Sequence, residues 1–172
     1  MCPFGIRLPI LEPKVVVHED FARKLKTKKI LIDVDALTEI FKYFLSKGKE
    51  EAACLLRGTM AGEYLLIKDI HKCRNSTGTR TSILINPVEF SDADKEDDYF
   101  VVGWAHSHPG FGVFMSGTDT RTQDRSFQAF FPDAVAMVMD PFSKAGMEFQ
   151  FFRVHNGKAR KVDYDFLVRR DV

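Results

Sequence analysis

From Asp33 onward the apolar residues Val34, Leu37, Ile40, Phe41, Phe44 and Leu45 recur at three- and four-residue steps and stop before Gly48. That spacing lines one face of a helix and the glycine supplies its end, so an amphipathic helix is predicted there. Elsewhere the period is shorter. Residues 12–18, with Val15-Val16-Val17, read as a strand, and residues 29–32 as a second extended piece. Residues 52–56 and 63–70, with the turn signal Gly62 between them, read as a hairpin. Residues 101–105, 134–139 and 148–154 are compact apolar runs of buried-strand length.

Between these runs lie the connections. Residues 73–80 are rich in Ser, Thr, Asn and Gly and predict a loop, followed by a brief apolar stretch over 82–85. Asn86-Pro87 has the form of a helix start, with Asn86 as N-cap and Pro87 at the first helical position, although the acidic cluster over 92–98 works against a helix there. Ser116 or Thr118 can cap a helix running to about residue 131, with Phe127, Phe130 and Phe131 on its buried side. Residues 163–172 carry Phe166, Leu167 and Val168, which suit a terminal helix or a docking tail. Strands interleaved with a few helices predict an α+β or mixed α/β three-layer domain. There is no internal repeat and no low-complexity segment.

At 172 residues the chain is about one domain long, and one domain over 1–172 is expected. Lys and Arg (25) balance Asp and Glu (24), so bulk charge offers no pull toward nucleic acid, and no such partner is expected. The basic run over residues 23–29 is a local exception that reads as a solvated face. Cys2, Cys54 and Cys73 are odd in number and form no C-x-x-C pair, which argues against a disulfide framework and against a cysteine-zinc site. The N-terminus lacks the pattern of a signal peptide, and no apolar run approaches the roughly 18 residues that span a membrane. A soluble, cytoplasmic protein without a membrane partner is the expectation.

The candidate chemistry lies in Trp104-Ala-His106-Ser107-His108-Pro109-Gly110-Phe111-Gly112, followed by Ser116 and Asp119. Two histidines at i and i+2 of an extended segment point to the same side and can meet one cation. Asp119, brought back by a turn, would complete a set of two imidazoles and one carboxylate that leaves a fourth position open, as catalytic rather than structural zinc requires. From the residues alone, Asp119 reads equally as a ligand or as a helix-capping residue with Ser116. The Pro-Gly-Phe-Gly loop suits close approach of a substrate backbone. His18, His71 and His155 stand alone and read as structural, and Cys54 reads as a small core residue.

His106-Ser107-His108-Pro109 with Ser116-x-x-Asp119 resembles the JAMM motif of the MPN+ metalloproteases, which remove ubiquitin and related modifiers by cleaving isopeptide bonds. The likeness extends through Gly103-Trp104, Gly110-Phe111-Gly112, Ser116-Gly117, Thr122-Gln123 and Val138-Met139-Asp140-Pro141, and spans about residues 29–154, leaving 155–172 as a C-terminal extension. Within the family it is most similar to the members of the proteasome lid and the signalosome. The resemblance implies a curved β-sheet flanked by helices, of the cytidine-deaminase-like kind. It implies one catalytic zinc ion on His106, His108 and Asp119, and Ser116 as a donor to the developing oxyanion. It also supplies a base: the family places a glutamate seven residues before a glycine, and Glu51 with Gly58 matches, whereas strand periodicity alone leaves Glu50 and Glu51 equivalent.

The same resemblance implies ubiquitin or a ubiquitin-like protein as substrate, its extended tail added as a strand beside the segment Thr77 to Leu84, whose Gly/Thr/Ser start and apolar end suit a mobile hairpin that orders on binding; the alternative is an ordinary connecting loop. Thr77, Ser82, Leu84, Phe111 and Gly112 are the substrate-binding candidates. A proteasome-like assembly or an MPN partner subunit is implied as well. Only His155 follows the motif, so a second zinc is not expected, and the short stretch between Asp140 and Gly146 leaves little room for an insertion. Two rival functions remain open at this point: a JAMM peptidase processing a small sulfur carrier or precursor, and a non-catalytic MPN scaffold. A zinc nucleobase deaminase is disfavoured, because its H-x-E and P-C-x-x-C signature is absent.

Overall fold

A computed structural model of the protein describes residues 29–168. The strand expected over 12–18, and all of the basic run but Lys29, lie outside the described residues. The main sheet contains β1 (Ile30–Asp33), β2 (Ala53–Ala61), β3 (Tyr64–Lys72), β6 (Phe100–Ser107), β7 (Val135–Ser143), β8 (Gly146–His155), β9 (Lys158–Val162) and β10 (Tyr164–Leu167), while β4 (Thr77–Gly78) and β5 (Ile83–Leu84) form a separate small hairpin. The helices are α1 (Val34–Ser46), α2 (Val88–Ala93) and α3 (Gly117–Thr122), the last continuing as a π-helical segment, Gln123–Gln128.

Spatial order in the sheet is β10-β1-β3-β2-β6-β7-β8-β9. Strand β1 runs parallel to both its neighbours, β6 runs parallel to β7, and the remaining pairs are antiparallel. The two edge strands, β9 and β10, are separated in sequence by Asp163 alone. The sheet must therefore curl until its edges are one residue apart. Accordingly, Phe149 and Phe151 of β8 meet Tyr164 of β10 at ring-centroid distances of 4.9 and 5.3 Å. The result is a curled mixed half-barrel with helices on both faces, in keeping with the expected α+β, three-layer class.

Of the segment 163–172, residues 164–167 are strand and not the terminal helix that was one of its two expected forms; residues 169–172 lie outside the described residues. Tyr164 and Phe166 turn toward Phe149, whereas Leu167 packs with Leu31 and Leu66, which is the alternation of a strand. Three adjacent apolar residues are too short a run to distinguish the two periods.

The predicted helix forms as α1. Asp33 caps it by accepting from the Asp35 N–H at 3.0 Å, and Gly48 with φ of 64° follows its end. Leu37, Ile40 and Phe44 bury against Ile32, Leu65, Ile67 and Met137, while Val34 and Leu45 mark the partly exposed margins of the apolar stripe. Along β2 the residues alternate: Cys54 and Leu56 face α1, while Ala53 and Leu55 face the second core with Trp104, Phe127 and Ala136. Burial on both faces explains why this strand reads as a continuous apolar run.

A bulge in β6 sets the orientation of the site. Leu56 pairs with Gly103 and Arg57 with Val101, so Val102 is an extra residue. Val102 and Ala105 thus both serve the α1 core, while Trp104 turns to the opposite face and carries His106 with it, their rings stacked at 4.4 Å. Gly103 is needed for its lack of bulk, since a Cβ there would come within 2.0 Å of the Val135 carbonyl oxygen.

Two further expectations are settled by these helices. Helix α2 starts at Val88, one residue later than expected, with Pro87 at the cap position, although Asn86 Oδ1 does accept from the Val88 N–H at 3.1 Å; it ends at Ala93, within the acidic cluster. The helical stripe after Ser116 holds for Phe127 but not for Phe130, which is 84% exposed, while Phe131 packs only in part, against Phe100. A period of 3.6 would place all three on one side, but the π-helical turn resets the phase and the segment ends before Phe130.

Candidate metal centre

Strand β6 pairs His106 with Val138 and Ser107 with Met139, and the His108 N–H continues the ladder by donating to the Met139 carbonyl at 2.8 Å. The extended backbone therefore presents both imidazoles on one side, as their spacing predicts. Their Nε2 atoms are 3.2 Å apart. Asp119, from the first turn of α3, brings its Oδ2 to 3.4 Å from His106 Nε2 and 3.6 Å from His108 Nε2. A tetrahedral ion with bonds of about 2.0–2.1 Å has ligand atoms roughly 3.3 Å apart, so the three separations fit such an ion. All three side chains are buried, and among the described residues they form the one His/Cys/Asp/Glu group whose ligand atoms converge this closely.

The electrostatics suit the same conclusion. Burial lowers the pKa of His106, against the pull of Asp119, and favours the neutral ring that a metal requires. Burial pushes the Asp119 carboxyl upward, but the hydrogen-bonding contacts of His106, His108 and Ser116 outweigh it and hold the group well below the usual carboxylate range. The Nδ1 atoms of both histidines are buried without a protein hydrogen-bond partner among the described residues. His106, His108 and Asp119 can thus bind a metal ion through Nε2, Nε2 and Oδ2.

Ligand and cap prove to be compatible roles for Asp119. Its Oδ2 accepts from the Ser116 N–H at 2.7 Å, and the Ser116 Oγ accepts from the Asp119 N–H at 3.1 Å, a reciprocal capping box. The cap fixes the carboxylate that faces the histidines. Because the Ser116 oxygen is the acceptor in that bond, its own O–H remains able to donate.

Register separates the two glutamates: Glu50 is exposed, whereas Glu51 is 6% exposed with Oε1 3.9 Å from His108 Nε2. Burial pushes the Glu51 carboxyl up to about 7, with His108 opposing and Asp119 reinforcing. Ser107, between the two histidines, holds the neighbouring backbone. Its Oγ accepts from the Ala52 N–H at 2.9 Å and its own N–H donates to the Ala52 carbonyl at 3.0 Å. On its other side Glu51 donates its N–H to the Thr79 carbonyl at 2.7 Å, and a Cβ on Gly78 would lie 1.9 Å from the Glu51 carbonyl oxygen.

That contact belongs to the hairpin expected to meet substrate. Thr77 pairs with Leu84 and Gly78 with Ile83, the Thr79 and Ser82 hydroxyls are 2.8 Å apart, and Leu84 is 75% exposed. A formed hairpin thus takes the place of a plain loop; Gly78 and Thr79 lie against the Glu51 backbone, while Thr77, Ser82 and Leu84 belong to the same hairpin. Phe111 and Gly112 lie in the separate loop after His108, with Phe111 exposed. Buried Asp140 organises that loop by accepting from the N–H groups of Gly110, Gly112 and Phe142, each at 2.9 Å. Gly110 and Gly112 have φ of 81° and 83°, a conformation that glycine adopts without strain.

Four residues with structural claims on the site had no role in the sequence reading: Trp104, Ser107, Gln123 and Asp140. Each lies inside a motif segment, but only three-dimensional contact shows what it touches. His71, in contrast, is taken up by buried Glu89 at 2.7 Å, a structural pairing as expected.

A family model described as "JAB1/Mov34/MPN/PAD-1 ubiquitin protease" matches residues 25–133. The chain belongs to this family. It is 48% identical over 125 residues to the 26S proteasome regulatory subunit rpn11 of Schizosaccharomyces pombe, covering 65% of this chain and 40% of that protein. Against the 26S proteasome non-ATPase regulatory subunit 14 of Drosophila melanogaster it is 33% identical over 138 residues, covering 75% of this chain and 44% of that protein. The chain thus spans less than half the length of these relatives. The solution structure of protein DSY2949 from Desulfitobacterium hafniense shares the fold, with a TM-score of 0.67 and 18% identity, covering 80% of this chain and 92% of that one. No helix among the described residues of this MPN domain is long and apolar enough to cross a membrane.

Proposed function

We propose that this MPN domain is a zinc-dependent isopeptidase, hydrolysing the bond between the C-terminus of ubiquitin or a ubiquitin-like protein and a lysine amine. The observation that carries the reading is the convergence of His106 Nε2, His108 Nε2 and Asp119 Oδ2, with the buried Glu51 carboxylate 3.9 Å from His108. A scaffold needs no such convergence of buried charge. Membership of a family whose description names ubiquitin proteases supports the substrate class.

When bound, a zinc ion at these ligands would supply Lewis acidity, both to an attacking water and to the scissile carbonyl. Glu51 is the general base: a carboxyl with its pKa near neutrality can take a proton from water and return it to the leaving amine. The Ser116 O–H is the donor to the oxyanion, held in place by its capping bond to Asp119. The β4–β5 hairpin offers a strand edge for an extended peptide, with Thr77, Ser82 and Leu84 along it. Phe111 and Gly112 would line the approach on the histidine side. The buried Cys54 and Cys73 have no part in this chemistry, and burial pushes both thiols up. A proteasome-like assembly or an MPN partner is the proposed setting, with the cytoplasm as compartment.

The test is a substrate panel. Zinc-loaded protein is incubated with lysine-linked di-ubiquitin, with other modifiers linked to lysine, and with small sulfur-carrier fusions, before and after chelation and re-addition of zinc. Zinc-dependent release of a modifier from lysine is the expected result. Cleavage of sulfur-carrier fusions alone would favour the peptidase alternative. Bound zinc without cleavage of any of them would favour the scaffold.

A further inference from the structure

Metal-ligating histidines are usually oriented by a hydrogen bond at their second ring nitrogen. Here the His106 Nδ1 is buried and has no protein partner among the described residues. Packing must fix this ring instead. The Trp104 indole lies against it at 4.4 Å with an interplanar angle of 14°, and Phe127 also stacks on the indole, at 5.6 Å and 8°.

The indole is itself pinned. Trp104 Nε1–H donates to Gln123 Oε1 at 3.0 Å, and Gln123 is fully buried. The Gln123 Nε2 donates to the Ala134 carbonyl at 2.8 Å and to Gln128 Oε1 at 3.0 Å. Gln128 in turn grips β8, accepting from the Val154 N–H at 2.7 Å and donating to its carbonyl at 3.0 Å. Every polar atom of the Gln123 side chain is thereby satisfied, and the chain of bonds ends on Ala134, just before β7, and on Val154 of β8.

Helix geometry decides whether this chain can exist. With 3.6 residues per turn, a residue five positions on lies about 140° around the axis and faces away. In the π-helical segment the Ala129 N–H bonds back five residues, to the Asp124 carbonyl, at 3.1 Å. The wider turn brings Gln123, Phe127 and Gln128 to one face, where Phe127 meets the indole and Gln123 its N–H. Turns of this kind are rare and concentrate at functional sites.

We propose that the π-helical segment Gln123–Gln128 is a positioning device for His106, with Trp104 and Gln123 as positioning residues that hold the ring ready for the metal. The inference rests on the metal-centre reading above. Its test uses the whole chain, stripped of metal and titrated with zinc against a chromophoric chelator while tryptophan emission is followed. Trp104 is the single tryptophan, so emission reads this stack alone. In the wild type, emission should change and saturate together with zinc uptake. Gln123→Leu should weaken zinc binding about ten- to a hundredfold, the range seen when outer-shell partners of ligands are removed. If Gln123→Leu does not fold, as judged by circular dichroism, Gln128→Met at the half-buried end of the chain should still weaken binding severalfold.

Zinc affinity and the emission change left at wild-type values in the folded variants would overturn the positioning role, even with a lowered Tm. A wild type that takes up no zinc would overturn the metal-centre reading and this inference with it. The first failure leaves the isopeptidase reading intact, so the two are distinguishable.

Discussion

Asp119 Oδ2 accepts the Ser116 N–H at 2.7 Å and stands 3.4 Å from His106 Nε2, so one oxygen atom both closes a helix cap and completes a metal-ligand set. This makes the rigidity of a short helix a property of the site. Replacing Ser116 with Ala should therefore act twice: it removes the donor proposed for the oxyanion, and it removes the acceptor for the Asp119 N–H. Loss of the cap alone costs about 1 kcal/mol of stability. Loss of one oxyanion donor typically lowers kcat about 10²- to 10³-fold. Urea unfolding and steady-state kinetics on Ser116→Ala measure the two effects separately.

Glu51 should make the metal-free protein less stable as pH rises. Its folded pKa of about 7 lies above the ordinary value of 4.5, so the folded state binds a proton that the unfolded state has released. Stability is then fully present below about pH 4.5 and is lost progressively as pH rises to about 7, by roughly 3–4 kcal/mol at 1.4 kcal/mol per unit. Glu51→Gln abolishes this slope. Urea unfolding in the presence of a chelator, at pH 5 and pH 8, is the check: the variant should overtake the wild type at the higher pH.

The opposite sign applies at the buried Arg57. Its guanidinium contacts Asp69 and, at 2.6 Å, Asp97. Burial raises the Asp69 pKa, but its bonds to Lys95, the Ile70 backbone and Arg57 prevail and lower it, while the bond from Arg57 lowers that of Asp97. Carboxyls with depressed folded pKa values contribute stability above their unfolded pKa and lose it as pH falls through the folded value. Unfolding curves between pH 5 and pH 2 should show a steeper loss for the wild type than for Asp69→Asn with Asp97→Asn.

Asp140→Asn tests the loop after His108. An amide can still accept from Gly110 and Phe142, but its NH₂ would face the Gly112 N–H, donor against donor. A loss of about 2 kcal/mol in unfolding free energy is expected. A variant as stable as the wild type would show that the loop does not depend on this carboxylate.

How much of this was legible in the chain depends on the kind of signal. His106 and His108 could be placed on one side because strand geometry alone dictates it, and α1 because its apolar spacing is long and its ends are marked. The choice of Glu51 over Glu50 came from the family pattern, since a strand start offers both registers. The only mark of the bulge in the sequence is the isolated Gly103 within the strand run; which residue is the extra one depends on what lies across from it in β2. The π-helical turn, which exposes Phe130 against the stripe and gives Gln123 and Gln128 their common face, left no mark. Residues 163–168 carry too few apolar positions to define a period, and the strand form of 164–167 follows from the edge that β1 offers.

The most direct test of the account is hydrolysis of an isopeptide-linked ubiquitin–lysine substrate by zinc-loaded wild type and by zinc-loaded Glu51→Gln at equal metal content. The account predicts cleavage by the wild type and a loss of about 10²-fold or more in kcat for the variant, with zinc stoichiometry unchanged. Equal rates for the two proteins, or no cleavage by a wild type that holds its zinc, would contradict it.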